Sequence, residues 1–144
     1  MIKPADFDAS KKYPLFMVQY SGPGSQEVAN HWNSANDYWF QYLAQQGYII
    51  ACVDGRGTGF KGAAFKKVTQ KELGKYEVED QIEAAKKLGD LPYIDNTRIG
   101  IWGWSYGGFM SSNCLFKGND VFKKLGDKSK NEKKSEIKVI ELKQ

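Results

Sequence analysis

Gly103-Trp104-Ser105-Tyr106-Gly107 is the stretch of the chain whose residue types and spacing best suit acyl transfer. A serine hydroxyl is a weak nucleophile unless it is exposed and beside a base. A sharp turn from a strand into a helix supplies the exposure, holding the serine in a strained backbone conformation with its oxygen above the sheet. A turn that tight puts Gly103 and Gly107 against neighbouring backbone, and Gly108 is expected to let the new helix pack close. The same turn aims the amide of Tyr106 at the carbonyl oxygen under attack, where the helix N-terminus favours developing negative charge.

The pentapeptide alone is only moderately specific, so its surroundings matter. Arg98-Ile99-Gly100-Ile101-Trp102 reads as a strand and Tyr106 to about Phe116 as a helix. That strand–turn–helix context makes Ser105 the nucleophile position of a serine hydrolase of the α/β-hydrolase type. A second glycine signal competes with it. Gly57-Thr58-Gly59-Phe60-Lys61-Gly62 matches a dinucleotide fingerprint after a strand, with Glu79 or Asp80 near the place of a ribose-binding acid. Against this, Asp54-Gly55-Arg56 lengthens the loop, no clear helix opens after Gly62, and the acid falls inside the next helix. The glycines read instead as a means for this loop to pass close to the elbow.

Three strands and three helices must carry these residues. Leu15-Phe16-Met17-Val18-Gln19-Tyr20 and Tyr48-Ile49-Ile50-Ala51-Cys52-Val53 are short apolar runs and read as buried strands. Between them Ala35, Tyr38, Trp39, Tyr42 and Leu43 form a helical stripe, capped by Asn33 or Ser34 and closed by Gly47. A further helix spans about Tyr76 to Leu88, with Val78, Ile82 and Ala85 inward and Gly89 at its end. Alternating strand and helix with short connections implies an α/β fold: a parallel sheet with helices on both faces. Ligands bind at the carboxyl ends of such strands, where Tyr20, the glycine-rich loop and Ser105 all fall.

The 144 residues suit one domain, and 41% hydrophobic content excludes a disordered chain. No apolar run is long enough for a membrane span, and Met1 to Asp6 lacks the apolar stretch of a signal peptide, which leaves the compartment open. Cys52 and Cys114 lie far apart in apolar runs and read as buried free thiols rather than metal ligands. The net charge of +4 resides in residues 123–144, where eight lysines face four acidic residues. A solvated terminal face explains that tail better than a nucleic-acid partner.

Four motifs in order then resemble the catalytic domain of dipeptidyl peptidase IV-like serine peptidases of the prolyl oligopeptidase family. They are Tyr20-Ser21-Gly22-Pro23-Gly24-Ser25-Gln26, Asp54-Gly55-Arg56-Gly57-Thr58-Gly59, Tyr76-Glu77-Val78-Glu79-Asp80-Gln81 and Gly103-Trp104-Ser105-Tyr106-Gly107-Gly108. The resemblance runs from about Pro14 to about Phe122. It implies that Ser105 attacks the scissile carbonyl, and that the Tyr20 hydroxyl and the Tyr106 amide form the oxyanion hole. It also implies that the Tyr106 ring borders the pocket for a penultimate proline or alanine, and that Trp104 packs rather than reacts. Such enzymes release N-terminal dipeptides from peptide substrates without a metal or organic cofactor, in periplasmic, secreted or membrane-anchored proteins.

The triad acid and histidine of this fold follow the nucleophile. Here the chain has one histidine, His31, which precedes it and reads as a loop residue; Asp37 and Asp54 read as structural. The sequence therefore reads as the N-terminal part of a peptidase domain over residues 1–122, incomplete after the nucleophile helix, followed by a divergent tail over 123–144. The paired glutamates of the family's propeller, which grip the substrate amine, are also absent. The alternatives are a non-catalytic remnant or interaction module and, more weakly, a nucleotide-binding domain. A free apolar edge beyond the elbow strand would invite self-association, and Ser135 to Leu142 could pair with it as a makeshift strand.

Overall fold

A computed structural model describes residues 1–30 and 36–122, with side chains at 36 and 37 excepted. The expectations for His31, the Asn33 or Ser34 cap, the Asp37 side chain and the 123–144 tail lie outside the described residues. The chain runs β1 (Tyr13–Val18), α1 (Asn36–Gln45), β2 (Ile49–Cys52), α2 (Ala63–Lys67), α3 (Tyr76–Gly89), β3 (Ile94–Trp102) and α4 (Tyr106–Lys117). The three strands pair in parallel, in the order β2-β1-β3, and Ile2 forms an isolated antiparallel bridge to Ile50. Among the described residues β3 has no strand on its outer side.

Alternation along β1 divides the core in two. Leu15 and Met17 face α3 and α4, together with Ile49, Ala51, Val78, Ala85, Ile99, Met110 and Cys114. Val18 and Phe16 face the other way, toward Ile50, Trp102 and the Phe40, Leu43 and Ala44 side of α1. Helices thus cover both faces, and the central strand is apolar on both sides for that reason.

The face of α1 corrects the sequence reading. Leu43 does pack inward, but Tyr38, Trp39 and Tyr42 are exposed, while Phe40 meets the Trp102 ring edge-on at 6.0 Å. Two overlapping stripes fit a 3.6-residue period, and the smaller Leu43–Ala44 side lets the helix lie closer to Ile50 and Val18. Gly47 does close this helix, at φ 88, a left-handed conformation that glycine adopts at little cost.

Both cysteines are free, Cys114 buried and Cys52 half-buried. Burial is the first cause that pushes each thiol up to about 12 from an ordinary 9.0. The unfolded chain therefore loses thiol protons first as pH rises, and folding stability falls from pH 9.0 toward about 12. Urea unfolding between about pH 8 and about pH 11 should show this decline, and the Cys52→Ala/Cys114→Ala pair should flatten it. An identical slope in the double variant would rule the thiols out as its source.

Candidate active site

The elbow is built by the meeting of β1 and β3 with α4. Ser105 stands between Trp102, the last residue of β3, and Tyr106, the first of α4, at φ 54 and ψ −113. This is a costly backbone conformation for a residue with a Cβ, on the order of 1–3 kcal/mol. The serine is exposed, and its side chain makes no capping bond to α4. As the first helical residue, Tyr106 has an N–H with no intrahelical acceptor, free for an anion at that point.

What forces the turn is the end of β1. The Gln19 N–H donates to the Trp102 carbonyl at 3.1 Å, and the Gln19 side-chain amide donates to the Gly107 carbonyl at 2.8 Å and to Ser111 Oγ at 3.0 Å. A Cβ on Gly103 would overlap the Gln19 carbonyl oxygen, and one on Gly107 would sit 2.6 Å from it. Both expected glycine roles hold. The expected role of Gly108 does not: a Cβ there would meet only the Gly103 carbonyl at 3.5 Å, an ordinary contact. The tight approach is used up at Gly107.

Tyr20 follows directly, half-buried, with its ring centroid 6.3 Å from that of Tyr106. Ser21 turns the chain at φ 60 although it is not glycine, and it is buried. Tyr20, Ser105 and Tyr106 thus gather at the carboxyl ends of β1 and β3. Tyr106 donates its hydroxyl to Glu77 Oε1 at 2.8 Å, and Gly74 N–H donates to Glu77 Oε2 at 3.0 Å. Burial first, then the Glu77 hydrogen bond and charge, raise the Tyr106 phenol above its ordinary range. Trp104 departs from expectation. It is 61% exposed, because it sits in the turn past the last paired residue of an edge strand.

The glycine-rich loop serves a different neighbour from the one its sequence suggests. Gly57 accepts from Gly24 N–H at 2.9 Å, Gly59 donates to the Ser25 carbonyl at 2.8 Å, and a Cβ on Gly59 would lie 2.7 Å from the Gly24 carbonyl. The close approach is to the 22–25 loop beyond Tyr20, not to the elbow. Asp54 accepts from the N–H groups of Glu27 and Val28, the structural role expected of it. A short helix, α2, does open after Gly62, contrary to expectation, at five residues and without a side-chain cap. The alanine pair Ala63-Ala64 favours it and lysines close it. The Arg56 N–H and guanidinium occupy both oxygens of Asp80 at 2.6–3.1 Å, so that acid is engaged within the fold.

Three residues of this framework escaped the sequence reading: Arg56, Glu77 and Gln81. A signal for two of them was present. Glu77, Gln81, Ala85 and Gly89 recur every fourth residue on the face that also buries Val78, and polar groups on an inward stripe ask for partners.

Residues 18–126 match the family model described as "Prolyl oligopeptidase family". The chain belongs to the prolyl oligopeptidase family. It is 50% identical over 124 residues to prolyl endopeptidase FAP of Mus musculus, covering 85% of this chain and 16% of that protein. The human protein of that name gives the same identity and coverage. Among solved structures, dipeptidyl peptidase 4 of Porphyromonas gingivalis superposes with a TM-score of 0.81 at 53% identity, over 85% of this chain and 17% of that one. The chain therefore spans 16–17% of the length of these relatives. The three-stranded parallel sheet with its helices is a partial α/β-hydrolase fold of the dipeptidyl peptidase kind.

Proposed function

We propose that this chain carries the nucleophile elbow and oxyanion hole of a dipeptidyl-peptidase-type serine peptidase. The strained, exposed Ser105 at the start of α4 is the observation that supports the reading most. Ser105 Oγ attacks the carbonyl carbon after a penultimate proline or alanine of a peptide substrate. The carbonyl oxygen gains negative charge and is met by the Tyr106 N–H and the Tyr20 hydroxyl. The C–N bond breaks, the amine leaves with a proton, and the dipeptide stays as an ester on Ser105 until water releases it. The Tyr106 ring lines the proline pocket. No residue of this chain is assigned as the base that accepts the serine proton: His31, its only histidine, precedes the nucleophile in chain order, whereas the triad histidine of this fold follows it.

On that reading the isolated 144-residue chain retains an elbow without turnover. A fluorophosphonate probe should label Ser105 slowly and specifically, faster at higher pH as hydroxide replaces the base, and not at all in Ser105→Ala. Chromophore release from a Gly-Pro anilide should stay far below peptidase rates, within about a thousandfold of water. Labelling scattered over other serines, or none at Ser105 in a folded chain, would sink the reading. The outer side of β3, which carries no strand among the described residues, favours a second one, an interaction module that pairs edge to edge. Concentration-dependent dimerisation of the unlabelled chain would distinguish it.

A further inference from the structure

Helix α3 buries two polar side chains one turn apart. Glu77 is 1% exposed and Gln81 0%. Residues at that spacing lie one above the other on a single helix face. Apolar side chains of similar length would fill both places with no polar group to satisfy, so their chemistry calls for an explanation.

Each reaches a different half of the oxyanion hole. Glu77 accepts the Tyr106 hydroxyl at 2.8 Å and is itself held by Gly74 N–H at 3.0 Å. Gln81 Nε2 donates to Ser21 Oγ at 3.2 Å and to the Val53 carbonyl at 2.8 Å. Its Oε1 has no protein donor among the described residues, and the Val53 carbonyl fixes which end of the amide faces it. Ser21 follows Tyr20 directly and holds the left-handed conformation, φ 60, that makes the chain double back. A Cβ on Gly22 would overlap the Tyr20 ring, so the ring lies folded over this turn. The Gln81 amide is bonded to the side chain that must stay put for Tyr20 to keep its place.

We propose that Glu77 and Gln81 are positioning residues that set the two oxyanion donors, Tyr106 and Tyr20, from one rigid helix. Neither touches substrate. Each fixes the tyrosine next to it, and their fixed separation along α3 fixes the spacing of the pair. This rests on the assignment of Tyr20 and Tyr106 as oxyanion donors. It adds an origin for their spacing in α3, an element outside the elbow.

Tyrosine labelled with carbon-13 at Cζ, read by NMR in the folded 144-residue chain, tests it. The Tyr106 signal, assigned with Tyr106→Phe, should stay put to about pH 11, above the ordinary tyrosine range near 10. In Glu77→Gln it should titrate at least about one unit lower than in the wild type. In Gln81→Met the Tyr20 signal should move and Tyr106 should not. Ser21→Ala, which removes the acceptor from the other side, should move Tyr20 in the same way, so the test survives if one variant fails to fold. Each substitution should also slow fluorophosphonate labelling of Ser105 at least about tenfold, and Gln81→Met with Ser21→Ala should slow it no more than either alone. The proposal is overturned if Tyr106 titrates in the ordinary tyrosine range near 10, or if both Gln81→Met and Ser21→Ala leave Tyr20 unmoved in a folded chain. Absence of labelling in the wild type would overturn the assignment of Ser105 instead, and the tyrosine signals would still judge the coupling.

Discussion

Gly103→Ala and Gly107→Ala should each lower the unfolding free energy by about 3 kcal/mol, whereas Gly108→Ala should raise it by about 0.5–1 kcal/mol. The three glycines lie within six residues of one another, and composition does not separate them. Geometry does. At Gly103 and Gly107 a methyl group would press on the Gln19 carbonyl. That carbonyl belongs to the backbone where β1 leaves the sheet, so no rotamer change relieves it. Relief requires moving β1 away from β3, which costs the Gln19-to-Trp102 hydrogen bond. At Gly108 the new methyl meets only the Gly103 carbonyl, at 3.5 Å, and gains the preference of alanine over glycine inside a helix. Urea unfolding of the three variants reads this directly. Equal losses at all three would mean that helix formation, and not the β1 contact, sets the glycine requirement. The first two variants should also suppress probe labelling of Ser105, because the displaced turn carries the serine with it.

The order of the main elements was readable because β1, β2 and the second half of β3 are short apolar runs. The start of β3, Ile94 to Arg98, is polar and exposed in its middle and escaped the pattern. Leu15 to Val18 and Ile49 to Cys52 need no tertiary information to be recognised as strands covered on two sides. The elbow was readable for a similar reason: its glycines and its serine answer to local backbone geometry. The face of α1 was not. Tyr38, Trp39 and Tyr42 make a bulkier, more aromatic stripe than Phe40, Leu43 and Ala44, yet the smaller stripe packs on the sheet. Periodicity reports that a helix is amphipathic, and it picks the wrong side when aromatic residues crowd both. Trp104 fails for another reason. Its burial depends on what lies beyond an edge strand, which no local pattern contains.

The supporting residues were hidden by their polarity. Arg56 sits in a glycine-rich loop and Glu77 and Gln81 in a polar stretch of α3, where no local pattern names a partner. Their partners are remote in sequence: Asp80 for Arg56, Tyr106 for Glu77, Ser21 and Val53 for Gln81. Hydrogen bonds over such separations follow from the fold and do not precede it. The motifs that carry the family resemblance nonetheless contain these residues.

Tyr106→Phe should cost about 2 kcal/mol of stability, a large effect for one hydroxyl. The ring that packs between Tyr20 and Phe109 remains, with centroid distances of 6.3 and 5.5 Å in the wild type. The loss is therefore confined to the bond with Glu77, whose Oε1 is left without its donor in a fully buried place. A buried carboxylate that keeps only the Gly74 N–H is left with one oxygen unsatisfied, which costs more than the same loss at a neutral acceptor. Adding Glu77→Gln to Tyr106→Phe should accordingly recover about 1 kcal/mol, and strictly additive losses would show that the two groups are not coupled. The sign of the pH dependence follows from the raised phenol. A group whose folded form holds its proton more tightly gives stability that is complete below its unfolded range, about pH 10 for tyrosine, and lost above it. Phenylalanine has no such proton to lose. The gap between Tyr106→Phe and wild type should therefore narrow from about pH 8 to about pH 11 in urea unfolding. A gap that widens would mean that Glu77 takes its proton donor from somewhere other than Tyr106.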